Sequence, residues 1–132
     1  MVKDMGGDTQ QRRDLDERLL EYAVRVIRLV DALPKTLVGR HVAGQVLRSA
    51  TSVGANYEEA RGAESKEDFV HKLQIALKEL RESNYWLRLI LKSQMLPRER
   101  LADILDESNQ LRAMLSKAVA TAKGKGKSPL EE

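Results

Sequence analysis

The apolar positions of the chain recur at spacings of three and four residues in four separate segments. In the first segment, residues 9–31, the recurring positions are Leu15, Leu19, Tyr22, Val26 and Val30. This spacing places the side chains on one face of an α-helix. Pro34 follows the segment, and proline both breaks a helix interior and disfavours helical angles in the residue before it. The pattern therefore predicts a first helix that ends near Asp31.

The second segment, residues 38–62, keeps the helical pattern through a stretch rich in small and polar residues. Its seam consists of Ala43, Val46, Ala50, Val53, Tyr57 and Ala60. Loops do not need apolar residues at a regular helical spacing, so this spacing predicts a helix. Small residues, among them Gly44 and Gly54, lie along it. Each glycine costs a helix about 1 kcal/mol relative to alanine, and we expect close packing to compensate for it.

Two further helices are predicted, over residues 65–95 and 97–122. Ser65 and Asp68 have the spacing of an N-cap with an acidic third residue, and Pro97 lies where a first-turn proline is tolerated. The inner face of the last helix consists of Leu101, Ile104, Ser108, Leu111, Leu115 and Ala118. Four long amphipathic helices with short connections predict an all-α, antiparallel up-down-up-down four-helix bundle over residues 9–122. Residues 1–8 are expected to be a flexible tail, and residues 123–132 a disordered basic tail.

Composition agrees with a helical protein and excludes several classes. Charged residues make up 33% of the 132 residues and aromatic residues 4%, so the core must consist of aliphatic side chains, which suit helices. The chain has no cysteine, which excludes disulfides and thiol catalysis. No apolar run approaches the length of a membrane span. We therefore expect a cytoplasmic protein with no membrane partner.

The candidate chemistry is sparse. A di-iron bundle needs two Glu-x-x-His motifs and two further carboxylates, but the chain has two histidines in all, His41 and His71, and only His71 follows an acidic residue at that spacing. Glu58 and Glu59 are adjacent, so on a helix they diverge by about 100° and cannot act as a pair. The sequence therefore predicts a non-enzymatic protein with no catalytic residues, no metal, no cofactor and no small-molecule substrate, and with both histidines on the surface.

The third helix has apolar residues on two opposite sides. One side, centred on Leu73, consists of Phe69, Ala76, Leu77, Leu80, Leu87 and Leu91 and faces the predicted core. The other carries Ile75, Trp86 and Leu89, with Glu79 and Glu82 close by. A group of large apolar residues on a face away from the core suggests a contact with a partner. We predict that these five residues form an oligomer interface, the alternative being simple exposure.

A further face of the same helix is basic. It consists of Gln74, Lys78, Arg81, Tyr85, Arg88 and Lys92. Cations with one aromatic residue among them suit phosphate contacts and base stacking, so Lys78, Arg81, Tyr85, Arg88 and Lys92 are candidates for binding nucleic acid. The alternative is a solvated surface in which Lys78 pairs with Glu82. The net charge of +3 permits either interpretation.

Residues 45–90 resemble the four-helix-bundle family named after the 23S ribosomal RNA intervening sequence protein. The resemblance rests on the Arg-Ser-Ala-x-Ser run at residues 48–52, Asn-x-x-Glu at residues 56–59, the helix start at residues 65–69, and the later run "ALKELRES-YWLRL". The family is distantly similar to the accessory variability determinant of diversity-generating retroelements. Where many members have glycine after Asn-x-x-Glu, this chain has Ala60, so packing there is expected to differ slightly.

The resemblance implies a small bacterial bundle that assembles as a homopentamer. The family has no catalytic residues that could be transferred to this chain. The resemblance favours RNA as the partner, and the basic face of the third helix is the surface that would bind it. The alternative is a protein-interaction scaffold or an accessory subunit, for example of a reverse transcriptase, that does not bind nucleic acid directly.

Overall fold

The structure is a computed structural model that describes the backbone of residues 2–124 and the side chains of residues 14–124. It contains four α-helices over that range: α1 (Val2–Val30), α2 (Leu37–Arg61), α3 (Lys66–Lys92) and α4 (Arg98–Gly124). No strand occurs between residues 2 and 124. The protein is therefore all-α, as its sequence predicts. The disorder predicted for the C-terminal tail concerns residues that lie mostly outside this range.

The helix ends follow local capping signals. Ser65 caps α3, since its side chain accepts a hydrogen bond from the backbone N–H of Asp68 at 3.0 Å, as the sequence predicts. Thr36 caps α2 in the same way through the N–H of Gly39, at 3.1 Å. Such caps satisfy donors that a helix start leaves free. The N-terminal end of α1 differs from the prediction, because the helix begins at Val2 rather than near Thr9.

The earlier start of α1 has a simple cause. Residues 2–9 contain glycines but no proline. Glycine lowers helix stability without removing a backbone hydrogen bond, whereas proline does remove one. Gly6 and Gly7 therefore do not prevent the helix from extending to Val2.

The helices enclose one core. α1 packs against α2 and α4, and α3 packs against the same two helices. The largest fully buried side chains include Tyr22, Leu19, Leu73, Leu80, Leu87 and Leu111. Short connections contribute too, since Leu33 and Leu96 are buried in the α1–α2 and α3–α4 turns.

The centre of each buried face is shifted slightly from its predicted position. In α2 the core residue is Val42, and Ala43 lies at the edge. In α1 the buried residue is Leu29 rather than Val30, and in α4 the buried residue is Val119 rather than Ala118. Steps of three and four only approximate the 3.6-residue period, so two neighbouring apolar residues can compete for one buried position. In each case the larger of the two is the more buried one.

The core contains a polar cluster that the apolar pattern did not reveal. The Tyr22 hydroxyl is 2.7 Å from Ser83 Oγ, and Ser83 Oγ itself donates to the backbone carbonyl of Leu80, so Tyr22 is the donor. Beside it, Asn84 Nδ2 donates to Ser108 Oγ at 3.0 Å. Burial raises the pKa of Tyr22, which keeps its hydroxyl protonated. The cluster joins α1, α3 and α4 through hydrogen bonds that only one register of the helices can form.

None of the helices, over the residues that the structure describes, is long and apolar enough to cross a membrane.

Candidate nucleic-acid and subunit surfaces

The five predicted nucleic-acid-binding residues share one exposed face of α3, called here the basic stripe: Lys78, Arg81, Tyr85, Arg88 and Lys92. Their spacing of three and four residues aligns them along the helix. All five are exposed, and half of the Tyr85 surface is accessible. The Tyr85 ring is 5.1 Å from that of Trp86, in an edge-on arrangement at 76°. The structure therefore brings together on one surface the residues that the sequence grouped.

The stripe cations form no direct ion pair among residues 14–124, although Lys78 contributes, after Trp86 and Arg48, to the lowered pKa of Glu82. The sequence left open a pair between Lys78 and Glu82, but Glu82 bonds to Arg48 of α2 instead. Across residues 14–124 the ion pairs involve other residues, and no stripe cation has a carboxylate oxygen within 4.0 Å. The charge of the stripe is therefore available to a polyanion.

The stripe lies on the side of α3 that borders α4. Asn84, one position before Tyr85, donates to Asn109 as well as to Ser108, which holds this side of α3 against α4. The C-terminal end of the stripe lies near Arg98, the first residue of α4. Arg88, Lys92 and Arg98 together line a surface depression at the turn between α3 and α4. Sequence reasoning confined to one helix missed Arg98, and only the turn between the helices places it there.

The predicted oligomer interface is more covered than expected. Ile75, Glu79, Glu82, Trp86 and Leu89 are each half-buried within the single chain. Trp86 and Leu89 pack against the hydrophobic core. A single chain therefore already covers much of the indole, although the sequence pattern places Trp86 on a face away from the core. The reason is that α2 packs closely against this side of α3.

Arg48 of α2 forms polar contacts with this side of α3. Its guanidinium bonds to Glu79 at 3.1 Å and to Glu82. Glu82 also accepts a hydrogen bond from the Trp86 indole N–H at 3.1 Å. The bonds from Trp86 and then from Arg48 lower the pKa of Glu82, which stays ionised. The His41 ring lies edge-on to the indole, with 6.0 Å between ring centres.

A more exposed apolar surface lies on α1, called here the α1 outer face: Leu20, Val24 and Ile27. Leu20 is 59% exposed and Ile27 47% exposed, while Val24 is half-buried. Their spacing of four and three residues was visible in the sequence. It was overlooked because the stronger seam of Leu19, Tyr22 and Val26 runs through the same helix.

Close packing within the chain does not require the two glycines inside α2. A Cβ atom at Gly54 would make only ordinary contact with Leu19, at 3.7 Å. At Gly44 such an atom would meet nothing within 4 Å. The expectation that close packing compensates for these glycines therefore fails within a single chain.

Both histidines are exposed. Among the residues that the structure describes, no group of three or more histidine, cysteine, aspartate or glutamate side chains could hold a metal ion.

Comparison with known proteins points to one family. The family model described as 23S rRNA-intervening sequence protein matches residues 14–117. The chain is also similar to a crystal structure of a protein with unknown function from the S23 ribosomal protein family of Bacteroides thetaiotaomicron. That similarity has 37% identity and a TM-score of 0.71, and it covers 80% of this chain and 97% of the other. None of the curated proteins matches.

Proposed function

The chain belongs to the family of the 23S rRNA-intervening sequence protein, and from that premise we propose that it is a non-enzymatic bundle that binds RNA through the basic stripe. One observation carries the proposal: four cations and a half-exposed tyrosine share one face of α3, with no ion pair to neutralise them among residues 14–124. Cations spaced along a helix suit successive phosphates, and the tyrosine offers a surface on which a base can stack.

The proposed architecture is an up-down-up-down bundle that assembles into a homopentamer. Ion pairs between helices support the topology. Lys72, near the start of α3, pairs with Glu59 near the end of α2. Arg61, at the end of α2, pairs with Asp16 in the middle of α1 rather than with the C-terminal end of that helix. Such pairing is typical of antiparallel neighbours.

A ring needs two different surfaces on each subunit, because head-to-tail contacts join unlike patches. The α1 outer face is one candidate. The half-buried side of α3 with Ile75, Trp86 and Leu89 is the other. In such a ring each subunit presents its own copy of the stripe, and the weak phosphate contacts of the copies combine through effective concentration. A subunit with a net charge of only +3 can then contribute to tight RNA binding.

The test is a salt titration of binding to single-stranded RNA. We expect the logarithm of the affinity to fall linearly with the logarithm of the salt concentration, since phosphate contacts release counterions. Arg81→Ala with Arg88→Ala should weaken binding and reduce the slope by about 0.7 for each phosphate that is no longer neutralised.

The control is Arg28→Ala with Arg100→Ala, which removes the same charge from exposed positions outside the stripe. Equal effects of the two double variants would show that the stripe is not the binding surface. No binding at low salt would remove the proposal.

A second candidate function, a protein-interaction scaffold or accessory subunit, is favoured by the α1 outer face. Leu20 and Ile27 expose about half of their surface on a helix that packs its opposite side into the core. Residues of this kind at helical spacing suit a protein partner, such as a reverse transcriptase, rather than phosphates. A protein that assembles normally but shows no salt-dependent RNA binding would support this candidate over the first.

A further inference from the structure

A depression opens at the turn between α3 and α4, called here the corner depression. Its volume is about 860 Å³, within the range of pockets that hold small organic ligands. Three cations line it: Arg88 and Lys92 from α3, and Arg98 from α4. Apolar side chains line the rest, chiefly Leu91, Met95 and Pro97. The corner therefore combines positive charge with an apolar wall.

The turn that forms the depression has an unusual backbone. Met95 N–H donates to the Ile90 carbonyl, and Gln94 N–H to the Leu91 carbonyl, each at 3.1 Å. These two bonds define a Schellman motif, in which the residue at Gln94 takes a positive φ, here 61°. Glycine is usual at this position, because any other residue there costs about 1–2 kcal/mol.

The charge of the depression selects an anion. The residues between 14 and 124 that line it include no aspartate or glutamate. α4 begins at Arg98, so the positive end of its dipole adds to the three side-chain charges. The apolar wall offers nothing to a bare phosphate, but it suits a flat base attached to one. The combination fits a nucleotide better than an inorganic ion.

We propose that the corner depression holds one unstacked nucleotide of a single-stranded RNA. Its base lies against Leu91, Met95 and Pro97, and the phosphates beside it contact Arg88, Lys92 and Arg98. Proteins that bind single-stranded RNA combine a basic track along the backbone with side chains against which unstacked bases lie. This inference rests on the proposed function, because the strand reaches the corner along the basic stripe.

The geometry of α3 makes the two sites continuous. Arg88 and Lys92 belong both to the stripe and to the depression. From Lys78 to Lys92 the helix rises about 21 Å at 1.5 Å per residue. That length corresponds to about six stacked nucleotides at 3.4 Å each. A short oligonucleotide can therefore occupy both sites at once.

Photochemical crosslinking tests the location. An oligouridine that carries 4-thiouridine is bound to the full-length protein at low salt, irradiated and digested with trypsin. Cleavage after Lys92 and Arg98 isolates Ser93–Arg98, which contains Met95 and Pro97, whereas a strand on the stripe alone would label Glu82–Arg88, which contains Tyr85. We expect label in Ser93–Arg98.

Variants test the energetics. Arg98→Ala should weaken oligonucleotide binding about fivefold or more, because one phosphate is then left without its cation. Arg100→Ala is the matched control. It removes the same charge two residues away, from a side chain that lies beside Arg25 and Arg28 of α1 instead. Uridine monophosphate should compete with the strand at a lower concentration than inorganic phosphate, since only the nucleotide has a base for the apolar wall.

Each outcome decides between the proposals. Label in Ser93–Arg98 together with a larger effect of Arg98→Ala than of Arg100→Ala supports the corner site. Binding with label confined to Glu82–Arg88 and equal effects of the two variants overturns the corner site and leaves the stripe in place. Absence of binding at low salt overturns both. Equal competition by phosphate and uridine monophosphate shows an anion site without a base, which also overturns the inference.

Discussion

Gly39 shows how one missing side chain can determine where a helix begins. A Cβ atom at this position would lie 2.0 Å from the backbone carbonyl oxygen of Pro34. Backbone cannot move aside as a flexible side chain can, so only glycine allows the α1–α2 turn to fold back onto the first turn of α2. Gly44, further along the same helix, has open space around it. The two glycines therefore have different roles although their sequence contexts are alike.

Alanine at these two positions should change stability in opposite directions. Gly39→Ala is expected to lower the free energy of unfolding by about 1–3 kcal/mol, because the turn must shift to relieve the overlap. Gly44→Ala should raise it by up to about 1 kcal/mol, because alanine favours the helix and meets no neighbour. Denaturation with urea, followed by circular dichroism, measures both. A similar change in both variants would contradict this assignment.

The α3 helix shows what its own sequence could and could not predict. Its N-cap at Ser65 was predictable, because a cap depends on residues within one turn. The exposed stripe was also predictable, since it depends only on the helical period. The partial burial of Trp86 was not, because it depends on contacts with α2, such as that with His41, which lies far away in the sequence. Arg98 entered the candidate site only through the shape of a turn.

Polar residues inside the core were missed for a related reason. The sequence did not single out Ser83 and Asn84 as core residues, because apolar periodicity gives no information about buried hydrogen bonds. Each has its partner on another helix, namely Tyr22 for Ser83 and Ser108 for Asn84. A buried polar group without such a partner would cost about 1–3 kcal/mol.

The contact between α1 and α4 includes a pH-dependent ion pair. Arg18 donates to both carboxylate oxygens of Glu107, at 2.8 and 3.0 Å. The hydrogen bonds from Arg18 lower the pKa of Glu107 below its ordinary value of 4.5. Because the folded-state pKa is depressed, the stabilisation is complete above the ordinary pKa and is lost as the pH falls through the folded value.

Glu107→Gln should therefore lower the free energy of unfolding at pH 7 by about 1 kcal/mol. The difference between variant and wild type should shrink below about pH 4.5 and disappear at lower pH, when both side chains are neutral. Urea denaturation across this pH range measures the difference. Glu21→Gln, an exposed carboxylate on α1, is the control. A difference that stays constant with pH would contradict the role of the ion pair.

The α1 outer face and the basic stripe lie on different helices, which suits an assembly that also binds a polyanion. The α1 outer face lies on one side, and the basic stripe of α3 lies on another. α1 and α3 lie diagonally opposite each other, and each packs against α2 and α4. A neighbouring subunit on α1 would therefore leave the stripe accessible.

Light scattering tests the assembly. We expect the wild-type protein to be multimeric, and Leu20→Glu with Ile27→Glu to reduce its mass, because the two charges would have to be desolvated in the contact. Leu37→Glu is the control, since Leu37 is 81% exposed and lies outside that face. Trp86→Ala tests the α3 surface in the same measurement. A monomeric wild type would contradict the assembly, and an unchanged mass in the double variant would exclude the α1 outer face.

The position of the indole at the border of α2 and α3 has a practical consequence. The chain contains one tryptophan, so its tryptophan fluorescence arises from one place. Emission from that ring responds to the carboxylate that accepts its N–H and to the imidazole beside it. The emission spectrum of Trp86 would change if α2 moved away from α3. It would also change if a neighbouring subunit docked there or if a base stacked on Tyr85. The protein thus carries a built-in optical reporter, which needs no added dye.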